Sequence, residues 1–283
     1  MGFLKMLFGS KPETTEEQKE QKAEHDFNVL KYDGMRALKI HDVQQALRCL
    51  TAALELKDDL EVHDCLSQAL ILDNQLEPAM EELQLLAKAE PENVHIQMRM
   101  ANVCYLMEDY DQMAVATARV LELDAQNIYA MQAAARAQIG LNKPEEAIEW
   151  LSKAIAIEPD FGDAYLLRAD TYRKMGETSK ADADADWLLD KAPDNEDVLM
   201  LKARLEDAKG DSEKALIYYN KVVEENPFSA DALKERAAVK QKAGDEVGYQ
   251  EDMAAAQEIN PENDEEDIER KMEENNRNSN PFG

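Results

Sequence analysis

The side chains of this 283-residue chain that could do chemistry are four histidines, three cysteines and many carboxylates. His25, His41, His63 and His95 stand apart. None has a second histidine or a cysteine three or four residues away, the spacing that puts two metal ligands on one helical face. His63, Asp64 and Cys65 are adjacent, but successive residues of a helix point in different directions, so they make no catalytic group. Phosphate-cradling GxGxxG and GxxxxGK[ST] loops and a GxSxG nucleophile turn are all missing. Acidic pairs are expected by chance on a chain with 60 Asp and Glu. No enzymatic activity, metal or cofactor is expected.

Composition narrows the class. Against the 60 acidic residues stand 32 basic ones, a net charge of -28. That field repels nucleic-acid phosphates and anionic lipid, so no nucleic-acid partner is expected. Cys49, Cys65 and Cys104 are odd in number, widely spaced and on or beside apolar helical faces. They read as buried free thiols in a reducing compartment, which points to the cytoplasm.

Leu, Ala, Glu, Lys, Gln and Met are abundant, and no stretch alternates as a half-buried strand would. No segment is apolar over the roughly 18 residues a spanning helix needs. The opening MGFLKMLFGSK has no signal-peptide cleavage site, and Met6 stands where a myristoylation signal has Ser or Thr. Phe3, Leu4, Met6, Leu7 and Phe8 nevertheless form a short apolar set. A disordered or self-docked leader and weak contact with a membrane or partner through residues 1–10 both stay open.

The elements follow from a period. Pro91, Pro159, Pro193, Pro227 and Pro261 share a 34-residue register, with Ala125 on the missing rung. Other columns keep step: Ser67, Ala101, Ala135, Ala169, Ala203, Ala237; and Ala79, Met113, Ala147, Ala181, Ala215, Tyr249. A third reads Asn74, Glu108, Asn142, Gly176, Gly210, Gly244. Small residues let two antiparallel helices approach, and Gly or Asn takes the left-handed backbone that ends the first. Proline stops the second helix or opens the next.

This pattern resembles the tetratricopeptide repeat, most clearly over Ala164–Asn195 with Tyr165, Ala169, Tyr172, Gly176, Ala181 and Pro193. Six units of 34 residues are expected at 60–93, 94–127, 128–161, 162–195, 196–229 and 230–263. A seventh, 27–59, is one residue short and carries Gly34, Ala46, Ala53 and Leu56 in matching places. The array thus runs over 27–263 after a leader and polar linker at 1–26. Beyond it, 264–283 is read as an acidic capping helix, with Ile268 and Met272 facing inward, and a disordered tail. The resemblance implies an all-α solenoid, a right-handed superhelix of tandem helix-turn-helix repeats in which each unit buries its apolar face against its neighbours.

The resemblance also implies binding on the concave face lined by the first helix of each unit. The positions carried over include Met98, Asn102 and Tyr105, then Tyr129, Gln132 and Arg136, then Leu166 and Arg173, then Met200 and Arg204. Methionine, tyrosine and arginine suit a protein or peptide interface. Arg136, Asp170 and Arg204 are each 34 residues apart, so a ladder that neutralises itself competes with ligand contact. Asn102 matches one asparagine of the family's carboxylate clamp, but Met98, Tyr129, Gln132 and Ala133 occupy the neighbouring places, so that clamp is not expected.

Arg168 and Arg236, 68 residues apart, stand where the family usually has an apolar residue, and Asp184 and Asp252 share that offset. Two ion pairs within units are expected, because a partly buried arginine left alone is costly. The functional expectation is an interaction scaffold that holds a partner's peptide or helix. A peripheral membrane adaptor or assembly factor recruited by the leader is the alternative.

Overall fold

A computed structural model describes residues 16–260. The apolar leader, Pro261 and the expected closing helix lie outside the described residues. Among the described residues there are fourteen α-helices and no strand. The chain divides into two compact units. The first holds α1 (Glu16–Lys39), α2 (Val43–Leu56), α3 (Leu60–Leu72), α4 (Leu76–Ala89), α5 (Val94–Leu106), α6 (Tyr110–Leu123) and α7 (Ile128–Gly140). The second holds α8 (Pro144–Ile157), α9 (Gly162–Lys174), α10 (Thr178–Lys191), α11 (Glu196–Ala208), α12 (Ser212–Glu225), α13 (Ala230–Lys242) and α14 (Glu246–Ile259). The fold is an all-α solenoid of repeated helix pairs.

One turn chemistry recurs. His41, Asn74, Glu108, Asn142, Gly176, Gly210 and Gly244 all have positive φ, each shortly after the first helix of a pair. The step from His41 to Asn74 is 33 residues, one fewer than every later step. The next residue often does two jobs. Asp109 donates its N–H to the Cys104 carbonyl, closing α5, and its side chain accepts from Gln112 N–H, opening α6. Asp42, Asp211 and Asp245 repeat both bonds.

Prolines 91, 159, 193 and 227 each follow a second helix by two residues. Ala125 leaves its boundary unchanged: α6 ends at Leu123, and the Asp124 N–H still bonds the Val120 carbonyl. The small columns do what close helix approach requires. Ser67, Ala135, Ala169, Ala203 and Ala237 are fully buried, as are Ala79, Ala147, Ala181 and Ala215. Gly140 shows the same economy, since a Cβ there would sit 2.3 Å from the Tyr110 ring. That bare backbone lets α7 lie close to α6. Among the described residues no helix is long and apolar enough to cross a membrane.

Candidate functional site

Helices α5, α6 and α7 enclose a cleft of about 220 Å³ in the first unit. Its walls are Met98, Asn102 and Tyr105 from α5 and Tyr129, Gln132 and Arg136 from α7. Ala101, Ala133 and Met113 complete it. The wall residues are three or four apart on each helix, so one face of each helix is presented. The small residues Ala101 and Ala133 keep the two helices close enough to share the cleft.

The cleft is partly solvent-open and mixed in character. Tyr129 is 62% exposed and Tyr105 39%. The Arg136 guanidinium lies 5.6 Å from the centre of the Tyr105 ring, a cation–π arrangement. Tyr110 meets Tyr105 edge-on at 6.4 Å and supports it from behind. None of the nine lining residues is acidic, although the chain carries 60 Asp and Glu. The site therefore offers aromatic and thioether surface, two carboxamides and one cation.

The other four carried-over positions lie in the second unit and differ from these. Arg173 donates to Asp170 on its own helix at 2.8 and 2.9 Å. Arg204 makes a two-bond pair with Glu235, at 2.6 and 2.8 Å, and Glu235 also accepts from the Tyr219 hydroxyl at 2.9 Å. Asp170 pairs with Lys174 as well as Arg173, and its charge also helps raise the Arg204 pKa, so the ladder that competed with ligand contact is present in part as an electrostatic interaction between Asp170 and Arg204. Leu166 is half-buried against the core formed with Ala169, Leu201 and Leu205. Met200 is only 5% exposed and shares a core cluster with Ala203, Ala232 and Val239, so it offers no surface. The reason is that α11 is buried on several faces at once, with even Lys202 and Glu206 covered.

The expected ion pairs are present. Arg168 binds both oxygens of Asp184 at 2.7 and 2.8 Å and reaches Ser152 at 2.9 Å. Arg236 does the same with Asp252, at 2.6 and 2.8 Å, and with Asn220 at 2.9 Å. Burial opposes the Arg168 charge, but the Asp184 hydrogen bonds outweigh it and raise the pKa above the usual arginine value. Asp252 is pushed up by burial and more strongly down by Arg236 and Lys240, so it lies below the carboxylate range.

One polar cluster had no sequence signal. His63 places Nδ1 against Glu82 of α4 and Nε2 2.8 Å from Asp58 in the preceding turn. Its true neighbours are 19 and 5 residues away, not the adjacent Asp64 and Cys65. Burial disfavours the charged ring, but Glu82 and Asp58 overcome this and raise its pKa above the ordinary value. The three cysteines are free and buried. Burial, helped by Asp109, pushes the Cys104 thiol up to about 11, which keeps it protonated and unreactive at neutral pH.

Two tetratricopeptide repeat models match the sequence, over residues 128–161 and 166–230. No curated protein matches the chain. Among solved structures, a tetratricopeptide repeat protein from Parabacteroides merdae is similar with a TM-score of 0.75 at 15% identity, covering 83% of this chain and 94% of its own. PilW, a type IV pilus biogenesis factor, gives 0.63 at 19% identity, covering 72% and 94%. PilF of Pseudomonas aeruginosa gives 0.58 at 18% identity, covering 78% and 99%. With its repeated helix pairs, small-residue contacts and left-handed turns, the chain carries tetratricopeptide repeats, matched over residues 128–161 and 166–230, and shares the fold of the tetratricopeptide repeat structure from Parabacteroides merdae.

Proposed function

We propose that this chain is a protein-interaction scaffold and that the cleft between α5 and α7 holds a peptide segment of its partner. One observation carries the reading: Met98, Asn102, Tyr105, Tyr129, Gln132 and Arg136 line a single acid-free cleft on an otherwise acidic chain. Tyrosine, methionine and arginine supply much of the energy of protein interfaces, because they bury large area while keeping a polar contact. Asn102 and Gln132 can pair with the main chain of an extended segment, each carboxamide having donors and an acceptor.

The test is affinity capture with Met98, Tyr129 and Arg136 changed together to alanine. All three sit on exposed or half-buried surface, so the fold is expected to survive. Loss of partners that the unchanged chain retains supports the cleft. Retention of every partner rejects it.

A further inference from the structure

A second cleft, about 430 Å³, lies on the opposite face of α5 between α4 and α6. Met80, Met100, Cys104, Met107 and Ala116 make it largely apolar, and Val115 at its edge is 64% exposed. Positions 100, 104 and 107 share one face of α5, while 98, 102 and 105 face the other cleft. No residue lines both.

The repeat shows what this chain does with the same seam elsewhere. Adding 68 to Met100, Ala116 and Gln84 gives Arg168, Asp184 and Ser152, joined by the hydrogen bonds described above. Adding 136 gives Arg236, Asp252 and Asn220, joined in the same way. The counterparts of Gln97 and Arg119 are Tyr165 and Trp187, whose rings stack at 4.0 Å. At Met100 and Ala116 the Arg–Asp pair is replaced by apolar side chains, and at Gln97 and Arg119 the two stacked rings are missing. What remains is a thioether-lined cleft within the size range of pockets that bury ligands.

We propose that this cleft is the docking site of the chain's own apolar leader, residues 3–8. Five of those six residues are apolar: Phe3, Leu4, Met6, Leu7 and Phe8. Methionine walls adapt to such side chains. Charge favours the match as well. Residues 1–11 hold two lysines and no acid, whereas the stretch around the cleft, residues 76–123, holds nine acidic and three basic residues, the lining itself carrying one of each, Asp109 and Arg119. This inference does not depend on the partner cleft.

The experiment compares the full chain with its M100R/A116D variant, which fills the cleft with the pair used at 168/184 and 236/252. Trypsin cleavage after Lys5 is followed by mass spectrometry; the Lys11 bond precedes Pro12 and resists the enzyme. Cleavage of a docked segment tracks the population of its open form, so the variant should be cut about tenfold faster than the wild type. Equal rates overturn the proposal. A photo-crosslinking residue in place of Phe8 in the otherwise unchanged chain gives a reading that does not depend on the variant's folding. Intrachain crosslinks within residues 80–119 are expected. Crosslinks only to a second copy, to another protein, or elsewhere in the chain overturn the docking.

Discussion

Arg168 and Asp184 face each other across α9 and α10 in a two-bond pair, and Arg236 and Asp252 repeat it 68 residues later. Both pairs are largely buried, so the lone partner matters more than the bond. Asp184→Ala leaves a desolvated guanidinium and should cost about 3 kcal/mol, a fall of several degrees in Tm. The double change R168M/D184A recreates the Met100–Ala116 combination and should stay within about 1 kcal/mol of the wild type. Thermal unfolding of the three proteins tests this. An unchanged Tm for Asp184→Ala would remove the pairing as a stabilising element.

His63 makes stability depend on pH. Both ring nitrogens face carboxylates, so the ring is held best when doubly protonated. Its folded pKa is raised above the unfolded value of about 6.5. The contribution is therefore full below about pH 6.5 and lost as pH rises through the folded pKa. His63→Gln should destabilise the protein more at pH 5.5 than at pH 9. A destabilisation that does not change between the two pH values would contradict this account.

Glu108 occupies a left-handed turn position, with φ 56°, that glycine fills at 176, 210 and 244. The left-handed conformation costs a side-chain-bearing residue about 1–2 kcal/mol, partly offset by the extra chain entropy that glycine loses on folding. Glu108→Gly should therefore raise stability by about 0.5–1 kcal/mol. A denaturant midpoint that is unchanged or lower would show that Glu108 is held by something other than the turn.

Much of this was legible because a period turns sequence distance into contact. The Arg168–Asp184 pair could be read because the same two residue types recur at one offset in two units. The turn column was legible for a similar reason, since a left-handed backbone selects glycine and asparagine. His63–Glu82 carried no such mark, because the pair occurs once and its members sit on different helices. Met200 misled for a related reason. Its register matches Met98, but exposure depends on what packs above α11, and burial there extends even to Lys202 and Glu206. The second cleft was invisible for the opposite reason: it is defined by side chains smaller than their counterparts, and absent volume shows only once the repeats are built in space.

The central claim is that the α5–α7 cleft holds a partner. It is tested most directly by affinity capture from native lysate with the unchanged chain and the M98A/Y129A/R136A variant, both shown to melt alike. The account predicts that at least one protein captured by the unchanged chain is lost by the variant. Recovery of the same set of proteins by both would contradict it.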